Sequence, residues 1–108
     1  MNHDEFIASK RQEIVSVSRS ILAGEVNIIE GIRKICALRA LLDNPEDEAF
    51  LPIRAIESET DHFPAGAQRA NWAPESLKKL DQEAEEYLAD ARDDIFAACR
   101  EIIRLYSD

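Results

Sequence analysis

The stretch that decides the fold is ESLKKLDQEAEEYLADARDDIFAACREIIRLY, residues 75–106. Leu77, Leu80, Ala84, Tyr87, Leu88, Ala91, Ile95, Cys99, Ile102 and Tyr106 recur along it every few positions. From Leu77 to Tyr106 the stripe fits whole turns of about 3.6 residues, the period of a straight helix rather than a coiled-coil seam. One amphipathic helix is therefore predicted from Glu75 to Tyr106. Acids crowd its first half, while Phe96, Ala97, Ala98 and Ile103 enrich its second. The second half is expected inside and the first half on a rim.

Upstream, Ile7, Ile14, Val17 and Ile21 carry the same periodicity, so a first helix is predicted over 4–22. Asn2 suits its N-cap, Asp4 and Glu5 its positive end, and Gly24 its left-handed terminus. A second helix is predicted over 26–42, where Ile28, Ile29, Ile32, Ile35, Cys36, Leu38, Leu41 and Leu42 cover more than one face. Such a helix belongs at the centre. Gly31 inside it costs about 1 kcal/mol relative to alanine, which points to a close approach by another segment. Asp43-Asn44-Pro45-Glu46-Asp47 reads as a helix start with Pro45 in the first turn. Pro52 then predicts a kink, or two short helices meeting at Leu51–Pro52. Residues 58–74 hold two prolines, a glycine and several small polar residues, and are expected to form one long ordered loop. The predicted fold is all-α: a single domain over 1–108, built as a bundle of four to five helices with a long C-terminal helix.

Composition narrows the function. At 108 residues, 45% hydrophobic and 32% charged, the chain has one core and a well-solvated surface. No apolar run reaches the ~20 residues of a membrane span, and the basic start of a secretory signal is missing, so a cytoplasmic protein is expected. Cys36 and Cys99 are isolated, and buried reduced thiols are expected. A net charge of −9 disfavours nucleic acid and anionic membranes as partners.

The excess charge is not scattered. Residues 43–61 hold seven acids and one arginine, and residues 75–94 hold eight acids and three basic groups. Glu83, Glu86, Asp90 and Asp94 share one face of the last helix, although the like-charge pairs four apart cost a few tenths of a kcal/mol each. The pattern suits docking of a basic protein. The candidate surface comprises Asp47, Glu48, Glu59, Asp61, Glu83, Glu86, Asp90 and Asp94, with the rings of Phe63 and Trp72 as anchors.

Other chemistry is weaker. Glu57-Ser58-Glu59-Thr60-Asp61-His62 could hold a metal, but its neighbouring side chains point different ways, so no metal and no cofactor are expected. Glu30 and Arg33 on the second helix, with Arg69, are expected to form a polar knot that pins residues 58–69 to the bundle. Glu83-x-x-Glu86 and Asp90-x-x-Asp93 look like the paired acids of helical magnesium-dependent nucleotide pyrophosphatases. Both pairs lie on one helix without a basic phosphate clamp, so no catalytic residue is assigned and an enzyme is not expected.

The block Ile56-Glu57-Ser58-Glu59-Thr60-Asp61-His62-Phe63-Pro64-x-Gly66-x-x-Arg69-x-x-Trp72, with Glu30-Gly31-x-Arg33 upstream and Ala98-Cys99 downstream, resembles small bacterial helical proteins of the toxin-immunity type. These include proteins of contact-dependent inhibition systems. The resemblance covers about residues 22–106 and departs at Ala73, where a better capping residue would precede Pro74. It implies an immunity protein that neutralises a basic toxin domain. The alternative is a helical structural or regulatory module that forms a homodimer through an apolar face.

Overall fold

The computed structural model describes residues 1–107 and is all-helical, with no strand among them. Helix α1 runs His3–Ala23, α2 Ile28–Arg39, α3 Leu51–Thr60 and α4 Pro74–Tyr106. Two 3₁₀ segments, Glu48–Phe50 and Gly66–Asn71, lead into α3 and α4. At about 1.5 Å per residue, the 33 residues of α4 span the 47 Å long axis of the molecule. No helix among the described residues is long and apolar enough to cross a membrane.

Local chemistry sets the helix ends. Asn2 Oδ1 accepts from the Glu5 N–H at 2.8 Å, and Gly24 terminates α1 at φ 72°. The Glu25 N–H reaches back to the Ser20 carbonyl at 2.9 Å, closing a Schellman-type end that only a residue comfortable at positive φ permits. Helix α2 starts two residues later than its apolar pattern suggests, because Asn27 caps it through the Glu30 N–H. It also stops at Arg39 rather than Leu42. The chain tightens there into i to i+3 bonds, and the Arg39 guanidinium donates to the Pro45 carbonyl at 2.7 Å. Leu41 is left half-exposed.

The predicted helix start at Asp43–Pro45 is a turn instead. Asp47 is the cap: its carboxylate accepts from the Ala49 N–H at 2.9 Å and opens the first 3₁₀ segment. That segment runs directly into α3, which places Pro52 in the first turn, where no backbone donor is needed. Two short helices therefore meet near Leu51, the second of the two expected arrangements. Residues 58–74 are more helical than the expected ordered loop, since α3 continues to Thr60 and the second 3₁₀ segment occupies six positions.

The core joins all four helices. Ile14, Ile21, Ile32, Ile35, Phe50, Ile53, Ile95, Cys99 and Ile102 are essentially inaccessible. Burial on α4 falls on Ile95, Ala98, Cys99, Ile102 and Tyr106, so its second half is the inside half, as expected. The only buried polar side chains among the described residues, Ser18 and Thr60, donate to carbonyls one turn back in their own helices. Both cysteines are buried and unpaired. Burial raises the Cys36 thiol to about 12, with further help from Glu57, and raises Cys99 to about 11.

Gly31 marks a close approach of α1 and α2. A Cβ built there would lie 2.8 Å from both Cγ1 and Cδ1 of Ile21. Ile21 is itself fully enclosed and has little room to move. Gly31→Ala is therefore expected to destabilise, because overpacking of about 1–3 kcal/mol outweighs a helix-propensity gain of about 1 kcal/mol. The midpoint of denaturant unfolding reads the sign directly.

Candidate functional site: an acidic groove between α3 and α4

Helix α3 lies antiparallel along α4. The Tyr106 hydroxyl meets Asp47 at one end, and the Tyr87 hydroxyl meets Glu59 at the other. Between these two tethers the surfaces part into an open groove of about 740 Å³. Its floor is small and apolar: Ala49, Ala55, Ala91, Ala97, Ala98 and Pro52, with Ile56 beneath. Glu48 and Glu59 stand on the α3 side, and Asp90, Asp94 and Glu101 on the α4 side.

Little positive charge offsets these walls. Glu101 pairs with Arg104 at 2.5 Å. Glu48, Glu59, Asp90 and Asp94 form no ion pair among the described residues. Glu59 accepts from Tyr87, whose phenol is pushed up to about 12, first by burial and then by the Glu59 hydrogen bond. Tyr87 thus stays a donor at any physiological pH and holds Glu59 at the groove's end.

The ten predicted contact residues do not form one surface. Glu48, Glu59, Asp90 and Asp94 converge on the groove. Glu83 and Glu86 continue the α4 stripe beyond Tyr87, outside the groove lining. Asp47 is engaged structurally between Tyr106 and the Ala49 N–H, which hold its carboxyl below the usual carboxylate range. Asp61 borders a separate shelf with His62, Gln68, Asn71 and Trp72. Phe63 is only 5% exposed, so its ring secures the loop and is not free to anchor a partner. Trp72 is 43% exposed. The sequence reading missed Tyr87, which passed for an ordinary stripe residue, and Glu101, which lies in a charge-balanced segment. The spacing 87, 90, 94, 97, 101 was the available signal.

The expected polar knot exists with different partners. Arg33 Nη2 donates to the carbonyls of Thr60, Asp61 and Phe63 at 3.1, 3.4 and 2.7 Å, and so closes the C-terminus of α3. Arg69 makes a bidentate pair with Asp81 at 2.8 and 2.7 Å rather than with Glu30. Glu30 stands beside Gly66 and acts on Arg69 only through its charge.

The Arg69 hydrogen bonds hold the Asp81 carboxyl below its ordinary value of 3.8. A group with a depressed folded pKa contributes above its unfolded pKa and is lost as pH falls through the folded one. The second 3₁₀ segment should therefore loosen from α4 only below about pH 4. Trp72, whose backbone N–H bonds to the Arg69 carbonyl, is the single tryptophan and reports the event. Its emission is expected to shift on acidification, and Asp81→Asn should give that shifted emission at neutral pH.

No group of three or more His, Cys, Asp or Glu side chains among the described residues is arranged to hold a metal ion. The paired acids of α4 all leave one helix, and although Glu48 and Glu59 line the groove opposite Asp90, they complete no such group with it. No family model, no curated protein and no solved structure matches the chain. The groove must therefore be read from its own chemistry.

Proposed function

We propose that this protein is an acidic protein-binding module that docks a basic protein on the α3–α4 groove, and that it serves as an immunity protein neutralising a basic toxin domain. The observation that carries this reading is the groove itself: an apolar floor between two walls whose carboxylates are largely unpaired. Apolar floors supply affinity on burial, at about 25 cal/mol per Å². Unpaired acids around them select a positively charged partner and speed its approach. A basic surface that binds nucleic acid is the natural complement, and covering it would block its action.

Docking through this groove in a homodimer is disfavoured, because it would bring two chains of net charge −9 face to face at an acidic surface. The test takes a basic protein that binds the wild-type chain in purified form and compares its enzymatic activity free and in the complex. Activity abolished in the complex, and restored when the groove acids are reversed, supports neutralisation. Activity that persists in the complex overturns it.

A further inference from the structure

Resting on that reading, we infer that the element received by the groove is an amphipathic helix of the partner, with an apolar stripe against the alanine floor and lysines or arginines along both flanks. The dimensions, the chemistry of the floor and the placement of the charges all lead there.

The α4 wall runs from Tyr87 to Glu101, about 21 Å at 1.5 Å per residue. That is the length of a helix of three to four turns. The floor offers methyl groups, and along α3 and α4 the walls are helices whose interior amides are bonded internally. An extended segment laid there would leave its N–H and C=O groups unpaired against alanine, whereas a helix satisfies its own backbone. Alanines also allow the close interaxial approach of about 8 Å at which a third helix seats between two others.

The charges stand on both sides of the floor. Glu48 and Glu59 are on one wall, and Asp90, Asp94 and Glu101 on the other. Asp90 and Asp94 are short and exposed at the rim. Their partners must reach outward to them, as long basic side chains do when their stems lie along an apolar surface. A helix with one basic flank would meet only half of these carboxylates. The apolar stripes of α1 and α2 are already buried in the core, so neither helix of a second copy is free to fill the groove.

The probes are two fluorescein-labelled synthetic peptides of about four helical turns and identical composition. One carries an alanine–leucine stripe at helical spacing with lysines on both flanks; the other permutes the same residues so that no stripe forms. The striped peptide is expected to bind the wild-type protein at least tenfold more tightly and to gain helical circular dichroism on binding. Ala97→Trp and Ala55→Trp fill the groove from opposite walls without altering charge, and both positions are exposed, so the fold tolerates them. Each should weaken the striped peptide at least tenfold. Equal, salt-sensitive binding of both peptides overturns the helix and leaves an acidic docking surface in place. If neither peptide binds, the inference also falls, while the proposed function is judged separately by the activity of the partner domain.

Discussion

Replacing Arg33 with alanine is expected to lower the unfolding free energy by about 3 kcal/mol, the scale for removing a charged donor from several partly buried carbonyls. Arg33 acts at a point where three demands coincide. Helix α3 ends there with unsatisfied carbonyls and the negative end of its dipole, and the chain must turn sharply to bury Phe63. One guanidinium nitrogen serves the carbonyls of Thr60, Asp61 and Phe63 together. Because these acceptors are neutral, the substitution leaves no orphaned buried carboxylate, and the loss falls toward the low side of the about 3–5 kcal/mol expected of a broken buried ion pair. Arg33→Lys keeps the charge but not the planar fork, and should recover only part of the loss. Denaturant unfolding of the three proteins measures this; an alanine variant as stable as the wild type would show that solvent replaces Arg33 without cost.

The second large effect concerns association. Asp90→Lys with Asp94→Lys should slow association with a basic partner by about 10–100-fold at low salt and flatten its dependence on ionic strength. Glu83→Lys with Glu86→Lys makes the same change in net charge outside the groove lining. Long-range attraction responds to both pairs, but contact responds only to the first, so dissociation should quicken for Asp90/Asp94 alone. Stopped-flow traces at several salt concentrations separate the two terms. Identical dissociation rates for the two double variants would remove the groove from the interface.

The helices were legible where their signals are local. Asn2 and Gly24 bracket α1, Pro74 opens α4, and the spacing of Leu77 through Tyr106 marks its buried face. Each depends on groups within one turn of the chain. The errors came where a distant partner decides. Asp47 and Pro45 make a credible helix start in isolation, but Tyr106, fifty-nine positions away, fixes the Asp47 carboxylate and moves the start to Glu48. Arg69 had Glu30 and Asp81 as possible partners, and only the placement of the second 3₁₀ segment against α4 selects Asp81. The two acidic segments were evident from charge alone. Which of their carboxylates face one another depends on where α3 ends along α4, and that separates Asp90 and Asp94 from Glu83 and Glu86.

The two enclosed thiols make the molecule its own clock. A thiolate is the species that alkylating reagents attack, and burial holds both sulfurs protonated and out of reach. Reaction therefore waits for the structure to open. Cys36 sits on α2 beside Glu57 of α3, whereas Cys99 lies on α4 at the centre of the core. The first sulfur is expected to time the parting of α2 from α3, and the second the opening of the whole bundle.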